Sequence, residues 1–364
     1  PGLGGGGVLP LAFTIIGELF SLEQRARMQG LFSGVWGVSS VIGPLIGGFL
    51  VDRVSWQWVF YVNVIPGLLA IMLVWLSWKE RPRAEKGRPA VDYPGTLLLT
   101  AGVLALLLGL GALESPLGWG LLAAAVGLFA WLVQVERRAV DPILPFALFR
   151  DRLFTVSILH GVLAGWAMFG SINFVPLFVQ AVLGTSATEA GISLTPMSLA
   201  WTLASIVGSH LLLRIGYRTL ALAGMALLSL GALLMMGIGT GTSVLAVMAY
   251  LALMGVGMGL SIPAFLIAVQ STVRREELGV ATSTVQFSRS IGGTLGVSIL
   301  GVFLSARLAG SLRAAGIDPA AVSLDSLLNS AVSVDAGLAG PVREALASSI
   351  GGLFGIAFLV ALAG

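Results

Sequence analysis

Arg289 is the one charged residue between Gly279 and Ser305, a stretch otherwise made of small, apolar and uncharged side chains. At about 1.5 Å per residue it falls near the middle of a helix long enough to cross a bilayer, where an unpaired charge is costly and normally faces a bundle interior or a wet cavity. Gln286 stands three residues earlier, on the same helical face. Two kinds of chemistry fit this pair. One is functional: holding a substrate group or tuning a proton-carrying acid. The other is structural, with the guanidinium on helix-end carbonyls or on a carboxylate. Asn63, Asn173 and Trp166 are the other polar or aromatic candidates for substrate contact or coupling, and Trp201 and Phe169 offer further flat apolar surface for a planar molecule.

Other reactive chemistry finds little footing. The chain has no cysteine and two histidines, so disulfides and thiol chemistry are excluded and a metal centre is not expected. His160 reads as a hydrogen-bonded packing residue. Glu18 and Glu114 fall near the ends of apolar stretches, where capping or snorkelling suits them better than proton carriage. No stretch carries a nucleophile and base at working distance, so an enzyme is not expected.

The elements that must position these residues are membrane helices. Hydrophobic residues make up 57% of the chain, charged ones 10%, and mean hydropathy is +0.97, a composition no soluble domain tolerates. The apolar runs are continuous rather than alternating, which excludes a closed barrel. The 49 glycines let helix backbones approach closely in a bilayer. Charged and Gly/Pro punctuation divides the sequence into eleven candidate spans, near 1–19, 28–51, 58–78, 95–114, 118–135, 153–179, 189–213, 219–239, 244–269, 279–305 and 346–364.

Alternating the loops between the two sides puts fifteen basic residues on one side, against four on the other (Arg53, Arg307, Arg313 and Arg343). By the positive-inside rule, loops 20–27, 79–94, 136–152, 214–218 and 270–278 are expected in the cytoplasm, in a multi-pass protein of the inner, or plasma, membrane.

A pattern repeats within the chain. Gly2, Gly4, Gly6 and Pro10 are spaced like Gly255, Gly257, Gly259 and Pro263; Gly30, Ile42, Gly43 and Gly47 are spaced like Gly279, Ile291, Gly292 and Gly296. The copies lie on the first and ninth spans, an even offset, and therefore cross the membrane in the same direction. Two plain six-helix halves would give an offset of six, so two helices are expected between the halves, at 95–114 and 118–135. Pro1 opens directly on the glycine run and Gly364 stops within an apolar one. The expectation is a piece of a longer carrier, with three helices before residue 1 and fourteen in all. The parts are then 1–78, the remainder of the first bundle; 79–152, linkers and two inserted helices; and 153–364, the second bundle.

The second repeat element is specific. Gly37-Val-Ser-Ser-Val-Ile-Gly43-Pro44-Leu-Ile-Gly47-Gly48 resembles the antiporter signature of the major facilitator superfamily, and Ser55-Trp56-Gln-Trp58-Val-Phe-Tyr-Val-Asn63 resembles its continuation in the fourteen-helix drug:proton antiporters. Arg214-Ile-Gly-Tyr-Arg218 is similar to the second-half gating loop, with Leu213 where the family usually has Asp. The resemblance implies an all-α major facilitator fold and proton-driven export of hydrophobic or cationic drugs by alternating access. It implies no cofactor beyond the proton gradient. Expected partners are a small-molecule substrate, protons and the lipid bilayer, with no nucleic acid; a periplasmic adaptor is left open. In the family, carboxylates on the earliest helices commonly couple protons. A non-drug cargo (lipid, siderophore or metabolite) and a non-transporting sensor are the alternatives. Independently of the family, Gly43 and Gly47 form a small step beside Pro44, suited to a tight, bent helix contact. Exchange of Gly43 or Pro44 for Leu is expected to stop efflux with protein levels near normal.

Overall fold

A computed structural model describes residues 2–55, 57–77, 92–113, 115–139, 142–144, 146–314, 316–317 and 339–363. The linker basics from Lys79 to Arg88, together with Glu114 and most of the loop 306–345, lie outside them. The helices are α1 (Gly2–Leu19), α2 (Leu22–Arg53), α3 (Trp58–Tyr61), α4 (Val64–Ser77), α5 (Tyr93–Gly111), α6 (Pro116–Glu136), α7 (Arg152–Leu177), α8 (Ala187–Ser193), α9 (Thr195–Met236), α10 (Val244–Thr272), α11 (Leu278–Ala314) and α12 (Ala339–Ala363). Among the described residues, nine helical segments are long and apolar enough to cross a membrane. α1 and α2 occupy the ranges of the first two expected spans.

Local chemistry sets several boundaries. Ser21 and Gln24 form a reciprocal capping box that starts α2. Asp151 accepts from the backbone of Leu153 and Phe154 at 2.7 and 3.3 Å to start α7. Pro66 has no N–H to give the carbonyl of Val62, and the span breaks there into α3 and α4. α7 ends in a π-helical turn, Phe178–Val182. α11 outlasts its expected end at 305 because Leu304, Leu308 and Leu312, one turn apart, are all buried in the main core.

α9 holds two crossings. It is interrupted only at Gly216, where φ is 76° and ψ is 161°, a conformation open essentially to glycine. The arms run in opposite directions. On the first, Met197 and Trp201 approach Gly255 and Gly259 of α10 in that order; on the second, Gly231 approaches Met254 and Gly224 approaches Gly257 and Ser261. The five-residue loop expected at 214–218 is thus a hinge at one residue.

This arrangement explains the alternate glycines. Positions i and i+4 share a helix face, and i+2 lies almost opposite. Gly255 and Gly259 admit the first arm of α9, and Gly257 admits the second, so α10 is clasped between them. α7 and α11 run parallel and closely packed: Gly161 and Gly165 lie against Ser288 and the Arg289 carbonyl, and Gly292 and Gly296 lie against Val162 and Trp166. In a bilayer such contacts gain from close van der Waals packing rather than from escape from water. α5 and α6 form a hairpin in which Gly102 rests on the ring of Phe129 and Gly109 on Leu122.

Candidate functional site

The first part of the chain meets the second along a seam built by α1 and α2. Ser33 Oγ lies 2.6 Å from Ser205 Oγ of α9. Gly30 admits Ile206, and Gly37 admits Thr202. Gln270 of α10 donates from Nε2 to the Phe13 carbonyl at 3.3 Å and to Thr282 Oγ1 at 3.2 Å. Arg25 closes the end of the seam: it donates to the carbonyls of Phe20 (2.9 Å), Gln270 (3.0 Å) and Gly17. Burial there pulls the Arg25 guanidinium below its ordinary pKa. Nearby, Arg274 beyond the end of α10 binds Glu277 at 2.6 Å, and this bond raises the arginine's pKa.

Further along the seam from this arginine-rich, hydrogen-bonded end lies a cavity of about 300 Å³. Its near wall is α1 and α2, through Phe13, Gln29, Phe32 and Trp36. Its far wall is α7, α9 and α10, through Met168, Ile172, Met197, Trp201 and Pro263. The indoles of Trp36 and Trp201 stack across the seam with centroids 6.3 Å apart and planes at 26°. Phe13 and Phe32 pack at 5.6 Å beneath them. Arg289 of α11 reaches the same cavity and carries the one charge among its lining residues.

The sequence candidates separate. Of the five, only Arg289 lines the cavity. Gln286 is buried but is not on the cavity wall. Asn63, in the turn between α3 and α4, and Asn173, on α7, each give the side-chain amide to the carbonyl four residues back, at 2.9 and 2.8 Å. Trp166 packs on Gly296, and its Nε1 is buried without an acceptor. His160 is 3% exposed and packs by its ring, 4.2 Å from that of Phe265, with no partner for Nε2 among the described residues. Within the glycine cluster, Gly37 touches α9, and Gly43 meets no described atom within 4 Å. The surroundings of Pro44, Gly47 and Gly48 lie outside the described residues, although all three are helical.

Gln29 was missed. It is 4% exposed, its Nε2 has no acceptor among the described residues, and it lines the cavity. The available signal was a glutamine beside Gly30 on a stretch required to pack closely.

A bundle of membrane helices with an aromatic cavity at the join of two parts is an arrangement that suits the binding of a small molecule within a membrane. Comparison with known proteins specifies the family. Residues 1–297 match the Major Facilitator Superfamily. The chain is 39% identical over 348 residues to the multidrug transporter protein MdtP of Bacillus subtilis (strain 168), covering 94% of this chain and 63% of that protein. It is 35% identical over 306 residues to multidrug resistance protein 3 of the same organism, covering 82% and 59%. It is 32% identical over 323 residues to multidrug resistance protein Stp of Mycobacterium tuberculosis, covering 86% and 59%. The chain therefore spans about three fifths of these relatives. The crystal structure of the human organic anion transporter MFSD10 (TETRAN) superposes with a TM-score of 0.55 at 15% identity, covering 97% of this chain and 67% of that one, which speaks to the fold alone. The chain belongs to the major facilitator superfamily and is a multi-pass membrane protein.

Proposed function

We propose that this protein is a proton-driven exporter of drug-like amphipathic molecules and that it works by alternating access. The observation that carries the reading is the cavity beside Trp36 and Trp201, lined from both parts of the chain and sealed toward the arginine-rich end by Arg25, Gln270 and the Ser33–Ser205 pair. Such a seam suits one end state of a rocking carrier: breaking a few hydrogen bonds on one side and making contacts on the other exchanges access without exposing the lipid-facing surfaces. Relatives named for multidrug transport and multidrug resistance support a drug-like substrate.

The rest of the reading follows the repeat. Eleven helices of fourteen are assigned to this chain, in a bundle remainder at 1–78, inserted helices within 79–152 and a second bundle at 153–364, in the plasma membrane with the arginine-rich loops in the cytoplasm. The glycine-proline cluster Gly37, Gly43, Pro44, Gly47 and Gly48 supplies a tight contact that limits leak. Protons entering the cytoplasm drive outward release, and no cofactor is needed.

The test is uptake of ethidium and of a neutral and an anionic dye into everted vesicles containing the full-length protein, with the proton gradient intact or collapsed by a protonophore. Gradient-dependent accumulation of one or more dyes is expected. Equal signals with and without the gradient for all three would overturn the proposal.

A further inference from the structure

The cavity has a charge and a donor without hydrogen-bond or ion-pair partners among the described residues, and both ask for the same kind of ligand. Arg289 reaches it from α11 with no hydrogen bond or ion pair to any described residue; the one ion pair among those residues is Arg274 with Glu277. No Asp or Glu is among the lining residues. Gln29, on the opposite wall, holds a buried amide nitrogen with no acceptor. Much of the remaining polar lining is already engaged: Ser33 with Ser205, and Thr202 with the Ser198 carbonyl at 2.9 Å. An unpaired guanidinium and an unpaired amide donor in an aromatic cavity are each expensive, and an acceptor oxygen relieves both. A cation placed there meets repulsion little screened by water.

We infer that the cavity binds aromatic amphiphiles through an anionic acceptor group, a sulfonate or carboxylate on Arg289 with Gln29 as second donor, and discriminates against cationic ones. The apolar body lies against Trp36 and Trp201. This departs from the cationic drugs that the sequence resemblance implies. It rests on the reading of this cavity as the substrate site.

The experiment measures equilibrium binding of tritiated 2-naphthalenesulfonate and 2-naphthyltrimethylammonium, matched in ring and size, to the purified full-length protein. The wild type is expected to hold the sulfonate on the order of tenfold more tightly, as for a charge-assisted hydrogen bond. Arg289→Gln lowers sulfonate affinity by about tenfold or more and leaves the ammonium unchanged or tighter, and Arg289→Lys retains sulfonate affinity to within about threefold, because it keeps the charge. Gln29→Leu weakens the sulfonate alone, by roughly threefold to tenfold. Equal binding of the two ligands by the wild type, or parallel loss of both in Arg289→Gln, overturns the inference; where that variant does not fold, the wild-type preference and Gln29→Leu decide. Anion preference without gradient-driven uptake in vesicles removes the exporter reading and keeps this one. Gradient-driven uptake without an Arg289-dependent preference does the reverse.

Discussion

Ser33 of α2 and Ser205 of α9 share a hydrogen bond of 2.6 Å across the seam between the two parts of the chain, with Gly30 and Gly37 one helical turn to either side. A side chain at Gly37 would place its Cβ 2.6 Å from Thr202 Oγ1 and 2.9 Å from Thr202 Cβ. Neither atom is the far end of a flexible chain, so the helices must separate. Gly37→Leu is expected to reduce dye transport at least about tenfold with membrane protein levels within about twofold of wild type, because under the proposed alternating access the seam is rebuilt in each cycle while the helix contacts away from it are kept. Immunoblotting beside vesicle uptake checks both halves of that statement.

The α7–α11 contact lies within 153–364, the proposed second bundle, and there a similar change has a different outcome. A Cβ at Gly292 or Gly165 would collide with the backbone of Val162 or Arg289 respectively. Gly292→Val or Gly165→Val is expected to cost about 1–3 kcal/mol or more of stability, from overpacking against atoms that cannot turn away. A lowered melting temperature in detergent, with reduced yield, is the expected result. Gly127, on α6, has no atom near its missing Cβ and serves as the control for glycine replacement as such.

Gly216 makes a prediction of conformation rather than space. No atom crowds it, but its φ of 76° and ψ of 161° exclude a side chain without strain. Gly216→Ala is expected to destabilise by about 1–3 kcal/mol and to loosen the antiparallel arms of α9. Scanning calorimetry of the purified protein reads the first effect, and protease sensitivity near residue 216 reads the second.

Arg25 holds the sealed end by bonding to carbonyls of two helices in addition to its own surroundings. Arg25→Gln removes the reach to Gln270 and is expected to shift the population toward opening at that end. Spin labels at Thr14→Cys and Ser271→Cys report it directly, since this chain has no cysteine of its own. A longer or broader distance distribution in the variant is expected; an unchanged one removes Arg25 from the seal.

Membrane residence and the helical class were legible in the sequence, because both follow from local composition and spacing that a bilayer enforces residue by residue. The sequence also marked Arg289, since a lone charge in an apolar stretch stands out in one dimension. It did not separate Arg289 from Gln286, Asn63, Asn173 and Trp166. Asn63 and Asn173 bond to carbonyls four residues back, Trp166 packs on Gly296 and Gln286 is buried away from the cavity wall, and a helical period does not say which face meets which neighbour. Tertiary structure decided that the alternate glycines of α10 clasp two arms of one helix, that Gly37 rather than Gly43 meets the second part among the described residues, and that Gln29 faces the same cavity as Arg289. Gln29 and Arg289 are 260 positions apart in the chain. Only the packing of α2 and α11 around a common space brings their unpaired donors together.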